Sequence, residues 1–282
     1  MQYRPLAVAV LLAVAGCATP EAQVDSTATA APDPNVVAIT TKDFSFDGPD
    51  TIPGGWTKLV LKNAGNTLHH IQLIRLTEGK TFDDLAALMK SMKPTDAPPS
   101  WAIEAGGVNP PNPGAESAAI LNIEPGNYAI VCFVDLPDRV PHVAKGMAKA
   151  LTVTSGPSVA AAVPVSDITL TLNDYSFAFS TPPTQGSHVI KVENVGTQHH
   201  EVFIAKLDSG KTAEDLARWA ATYQGPPPAS ALGGTSGFMP GTTEYVPVGL
   251  TSGSYVLLCF LPDVKDGKPH LEHGMVLPFT VN

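Results

Sequence analysis

Apolar and polar residues alternate along Trp56–Lys62 and again along Ser187–Glu193, and each run ends at an Asn-x-Gly turn signal. Ile120–Ile123 is followed by the turn residues Glu124-Pro125-Gly126, after which Asn127–Val131 leads into Cys132. Two stretches keep a helical period instead. Leu85, Leu88 and Met89 form one apolar stripe, and Leu216, Trp219 and Ala220 form another. Ahead of them Thr81 with Asp84, and Thr212 with Asp215, stand at capping-box spacing. These stripes are expected to pack on the core. Short strands separated by turns, with one inserted helix per half, predict an all-β fold of the sandwich type.

The elements come in pairs because the sequence repeats. Asp43-Phe44-Ser45-Phe46 returns as Asp174-Tyr175-Ser176-Phe177, Asn63-Ala64-Gly65 as Asn194-Val195-Gly196, and Gly79-Lys80-Thr81 as Gly210-Lys211-Thr212, all at an offset of 131 residues. Gly106-Gly107 and Cys132 match Gly233-Gly234 and Cys259 at an offset of 127. Two copies of one unit are expected, at 37–154 and 166–282, joined by a Gly, Pro, Ala and Val linker at 155–165.

The N-terminus lies outside this pattern. Arg4 and the apolar stretch Leu6–Val14, too short to span a membrane, precede Val14-Ala15-Gly16-Cys17. Small residues before a Cys resemble the bacterial lipobox. Residues 1–16 are therefore expected to be a signal peptide and Cys17 a lipidated N-terminus, followed through residue 36 by a polar tether. The expectation is an exported protein held to a membrane through Cys17. In a Gram-negative host, Ala18 favours the outer membrane. The chain carries a net charge of −9 and no basic stripe, which argues against nucleic acid as a partner. With Cys17 lipidated, only Cys132 and Cys259 remain, in a compartment where thiols pair or bind metal.

Both copies end on the same chemistry. Cys132, His142 and Met147 are matched by Cys259, His270 and Met275, with Pro-His-x-x-x-Gly-Met shared by both. Each copy also offers an earlier His pair, His69-His70 and His199-His200. The gapless offset aligns His69 with His200 and His70 with Glu201. Strand alternation agrees: His69 shares its face with Ile71 and Leu73, and His200 with Val202 and Ile204. The expected ligands are therefore His69, Cys132, His142 and Met147, and His200, Cys259, His270 and Met275. His70 and Glu201 are expected to face outward or to stand behind the ligands, tuning the metal. A thiolate, two imidazoles and a weak thioether suit one copper ion, so two ions per chain are expected.

The motifs Gly126-x-Tyr128-x3-Cys132, Gly253-x-Tyr255-x3-Cys259 and Asn63-x-Gly65-x3-His69 resemble those of the cupredoxins. The loop from Cys132 to His142, with Met147 beyond, is similar to that of the type 1 domain of copper nitrite reductases. The resemblance covers nearly all of residues 37–282. It implies two tandem Greek-key β-sandwiches, each with a blue copper site, in a one-electron carrier whose partner is a redox protein. The Cys-to-His spacing is longer than in plastocyanins, and the inserted helix is not a standard element of the family. Copper storage, delivery or sensing is the other class open to such a chain, and a metal-free scaffold the third. Neither Cys adjoins a His: Cys132 lies between Val131 and Phe133, and Cys259 between Leu258 and Phe260. On that ground the sequence predicts no enzyme.

Overall fold

The computed structural model describes residues 33–91, 98–156 and 162–282. Cys17, the apolar stretch before it and most of the expected tether lie outside the described residues, as do residues 157–161 of the expected linker. Among the described residues no helix is long and apolar enough to cross a membrane.

The first copy runs β1 (Asn35–Lys42), β2 (Ser45–Asp47), β3 (Thr51–Pro53), β4 (Gly55–Asn63), β5 (Ile71–Leu76), α1 (Phe82–Ser91), β6 (Ala102–Val108), β7 (Glu116–Ile123), β8 (Gly126–Val131) and β9 (Ala148–Thr154). The second repeats it as β10 (Ile168–Asn173), β11 (Ser176–Phe179), β12 (Gly186–Asn194), β13 (His200–Leu207), α2 (Ala213–Thr222), β14 (Ala229–Phe238), β15 (Thr243–Leu250), β16 (Gly253–Leu258) and β17 (Val276–Val281). A single 3-10 turn, His142–Lys145 or His270–His273, precedes the last strand of each copy.

Each copy is a sandwich whose inner faces alternate as the sequence predicts. Ile71 and Leu73 of β5 meet Leu59 and Leu61 of β4 in the first core, and Val202 and Ile204 meet Ile190 and Val192 in the second. The opposite face of β5 and β8 carries Ile74, Leu76, Ala129 and Val131, which Leu85 of α1 covers with Leu88 and Met89. Helix α2 does the same with Leu216 and Trp219, and its Thr212–Asp215 capping box is formed. The inserted helices thus cover the outer face of the sheet that holds β5 and β13, burying apolar surface that would otherwise meet water.

The sheets do not stop at the linker. One has the order β11-β10-β12-β15-β7-β4-β1-β2 and the other β17-β16-β13-β14-β6-β5-β8-β9-β3. At both junctions a strand pairs antiparallel with its own repeat counterpart, Tyr245 with Ile120 and Phe238 with Ala105. That is the pattern a two-fold axis produces. The junction also covers edges that would otherwise present unpaired N–H and C=O groups. Buried side chains reinforce it: Asn109 Nδ2 donates to Val202 O at 3.1 Å, and at the matching position Ser236 Oγ donates to Ile71 O at 2.9 Å.

Candidate metal centres

Each centre gathers at one end of its sandwich. His69 stands just before β5, Cys132 directly after β8, His142 opens the 3-10 turn, and Met147 follows Gly146 at its end. The loop is closed by its own backbone. His142 N donates to Val134 O at 2.9 Å, Val143 N to Cys132 O at 2.8 Å, Met147 N to His142 O at 3.1 Å, and Cys132 N to Met147 O at 3.3 Å. The second copy repeats these bonds: Leu271 N reaches Cys259 O at 2.9 Å, Met275 N reaches His270 O at 3.0 Å, and Cys259 N reaches Met275 O at 3.3 Å. All eight expected ligands are fully buried.

The donor atoms converge. In the first centre His69 Nδ1 lies 3.0 Å from His142 Nδ1, which lies 3.4 Å from Cys132 Sγ. In the second, His200 Nδ1 is 3.1 Å from His270 Nδ1, itself 3.3 Å from Cys259 Sγ. His69 with Cys132 and His142, and His200 with Cys259 and His270, therefore each form a three-donor group that could hold one ion. The turn that follows each histidine bonds the backbone of Met147 to His142 and Cys132, and that of Met275 to His270 and Cys259.

What fixes the first histidine of each group is an acidic side chain. His69 Nε2 lies 3.0 Å from Asp43 Oδ1, and His200 Nε2 3.0 Å from Asp174 Oδ1. A carboxylate at Nε2 keeps the proton there and leaves the Nδ1 lone pair free for a metal. The Asp belongs to a two-residue turn between β1 and β2, or β10 and β11. Its second residue is an aromatic in the left-handed region, Phe44 or Tyr175, each at φ 64°. The turn also lays the aromatic ring edge-on against the second histidine, Phe44 at 5.2 Å from His142 and Tyr175 at 5.6 Å from His270. The repeated Asp-aromatic-Ser-Phe marks this turn in the sequence, although its role there is not readable. Gly65 and Gly196 complete the cradle by being small. A Cβ on Gly65 would stand 2.4 Å from His69 Nε2, and one on Gly196 2.7 Å from His200 Nε2.

The chemistry of the set fits copper. Burial holds His142 and His270 down to about 4, and lowers His69 and His200, so the imidazoles are neutral at neutral pH. Burial also pushes the Cys132 thiol up to about 12 and Cys259 well above its ordinary value. A cation must displace those protons, and it then meets one thiolate and two imidazoles. The backbone N–H of His70 points at Cys132 Sγ from 3.5 Å, a bond that favours an anionic sulfur. His142 Nε2 is buried without a hydrogen-bond partner.

His70 and Glu201 do not face outward; both are buried. Each accepts the N–H of the residue after the cysteine, Phe133 N to His70 Nε2 at 2.8 Å and Phe260 N to Glu201 Oε1 at 2.8 Å. The same position in each copy thus does the same job with a different side chain. The remaining histidines are apart from the centres' donor sets. His188 is bound to Asp167, His199 to Glu104, and His273 to Asp266.

No family model matches the chain, and no curated protein matches it. Among solved structures, auracyanin from Roseiflexus castenholzii is 21% identical, with 44% of this chain and 99% of that chain covered and a TM-score of 0.30. A blue copper oxidase from Nitrosomonas europaea is 14% identical, with 88% and 86% covered and a TM-score of 0.26. A copper-containing nitrite reductase from Thermus scotoductus is 11% identical, with 88% and 61% covered and a TM-score of 0.23. These likenesses bear on the fold alone. They correct one expectation: oxidases and a nitrite reductase are enzymes, so the lack of a histidine beside Cys132 and Cys259 does not support classing the chain as a non-enzyme. With its tandem sandwiches and the His–Cys–His group in each, the chain is a two-copy protein of the cupredoxin-like fold.

Proposed function

We propose that the protein is a one-electron carrier with a copper ion at each of two centres, exported and held to a membrane by lipid on Cys17. The observation that carries this reading is the matched convergence of two Nδ1 atoms and one Sγ in both copies. Copper in such a set gains and loses one electron with little change of geometry. The protein's own part is to keep that geometry stiff. Asp43 and Asp174 orient the first histidine, the 3-10 turn fixes the second, and the His70 N–H supports the first sulfur. Full burial of every donor suits a resident ion. A redox protein is the partner such a carrier serves, and the acidic surface suits a basic face on it.

The test is a visible spectrum of the copper-loaded chain together with copper analysis. Two ions per chain, intense thiolate–copper absorption and reversible reduction are expected. Colourless uptake of cuprous ion alone would favour storage, and no uptake would leave a scaffold. For the anchor, Cys17→Ser should release the protein from membranes; wild-type protein that retains residues 1–16 would refute lipidation.

A further inference from the structure

The two cysteines are connected through the protein, and the connection crosses the line where the copies meet. On the first side, His70 touches Cys132 twice, its backbone N–H on Sγ at 3.5 Å and its ring accepting the N–H of Phe133. Because Nε2 accepts that bond, the ring proton sits on Nδ1. The Asn109 side chain stands next to the ring and interacts with it. The same side chain donates from Nδ2 to Glu201 Oε2 at 3.1 Å. Glu201 then mirrors His70: its backbone N–H lowers the otherwise raised Cys259 thiol, and its Oε1 accepts the N–H of Phe260. His70, Asn109 and Glu201 are all buried.

We infer that His70, Asn109 and Glu201 form an internal route for an electron between the two centres, with Asn109 as its link. This rests on the copper reading above. With copper held at both centres, the route would carry one electron from the reduced ion, left cupric, to the oxidised ion, left cuprous; no bond would break and no proton would leave the chain. The route runs from sulfur to sulfur through buried polar contacts and covalent segments, and its Asn109–Glu201 and Phe260–Glu201 steps are hydrogen bonds. The neighbouring latch lacks this property. Ser236 Oγ occupies the position that matches Asn109, yet it bonds only the carbonyl of Ile71. Asn109 is long enough that its Nδ2 shares two hydrogens among Thr235 O, Val202 O and Glu201 Oε2.

The difference between Asn109 and Ser236 supplies the experiment. Fully oxidised, copper-loaded chains receive less than one electron each from a pulse-generated radical. The two thiolate–copper bands are then followed separately, after assignment in Cys132→Ser and Cys259→Ser chains. Asn109→Ser should keep both bands and the copper count while slowing redistribution about tenfold, the scale on which one residue of a coupling network acts. Ser236→Ala, which cuts an inter-copy bond off the route, should leave the rate within about twofold of wild type, as expected of a residue that couples to neither centre. An unchanged rate in Asn109→Ser, or equal slowing in Ser236→Ala, overturns the route. Should Asn109→Ser lose a band, Asn109→Leu, which fills the space without bonding, is read by the same two criteria. A wild-type chain without two bands refutes the copper reading itself.

Discussion

The two centres share their donors and differ in what stands behind them. In the first, Phe44 lies edge-on against His142, Thr67 Oγ1 lies 3.4 Å from His69 Nε2, and Leu136 follows in the loop. At the matching places in the second stand Tyr175, Gln198 and Asp263. The loop positions correspond because Asp135 bridges to Pro141 as Pro262 bridges to Pro269, and the next residue, Leu136 or Asp263, bonds the far side of each loop. The consequence is visible at the second histidine. His142 Nε2 has no partner, whereas His270 Nε2 lies 3.3 Å from Gln198 Oε1. Gln198 Nε2 donates to Asp263 Oδ2 at 2.8 Å, and the Tyr175 hydroxyl donates to the same oxygen. Glu201, in place of neutral His70, adds a carboxylate beside the second sulfur. Acceptors and carboxylates behind a ligand make it more basic and stabilise the more highly charged metal. Identical ligands thus have fewer polar groups behind the second histidine in one copy than in the other, and the second centre should have the lower reduction potential.

The largest effects come from the ligands themselves. Cys132→Ser and Cys259→Ser should each cut copper from two ions per chain to one and remove one thiolate band, with the other retained. His69→Ala and His200→Ala should do the same to their own centres, whereas His70→Ala should keep a copper site. Loss of both ions in a single mutant would mean that the comparison is false and the centres share ligands. Next in size, Gly65→Ala should weaken copper binding at the first centre by about 10-fold or more, since the added methyl displaces His69 from Asp43 and such supporting contacts carry 10- to 100-fold in affinity. A copper titration reads it.

A smaller effect sharpens the contrast. Asp263→Leu should raise the potential of the second centre toward the first by about 60 mV, if it removes about 1.4 kcal/mol of preference for the oxidised state. Redox titration of each band decides this, and a potential that falls would reverse the comparison of the two shells. The smallest is a slope with pH in the metal-free protein. Burial pushes Glu201 up to about 7, above its ordinary value, so the folded state holds that proton more tightly than the unfolded one. Stability from this group is present at low pH and is lost as pH rises from about 4.5 to about 7. The stability of wild type minus that of Glu201→Gln should therefore fall across that window and level off above it, as denaturant melts at several pH values would show.

The register of the sites was legible in the sequence because side-chain alternation is local. The offset that pairs His69 with His200, together with Ile71 and Val202 two residues on, needs no knowledge of the rest of the fold. The capped helices are legible for the same reason. The role of Asp43 and Asp174 was not, since it depends on a left-handed aromatic in the next position and on a histidine 26 residues further on. Nor could the pattern show that β6 pairs with β14, because an edge strand carries no local mark of its partner. The contrast between Leu136 and Asp263 was hidden by the bend of loops that differ in length. Inferring the absence of catalysis from the residues beside each cysteine asked too much of two positions.

The continuity of the sheets across the junction has a consequence for how such a molecule can diversify. A half-chain alone would expose β6 and β7, the edges suited to pairing with a second copy of itself, and the result would be a symmetric dimer. Symmetry forces identical centres: any substitution is inherited by both, so neither can change without the other. Writing both halves into one polypeptide keeps the same edge-to-edge assembly but lets each half mutate alone. Phe44 can then stand where its twin has Tyr175, and His70 where its twin has Glu201. The fused chain can hold two unequal centres in a frame that, as separate subunits, could hold only equal ones.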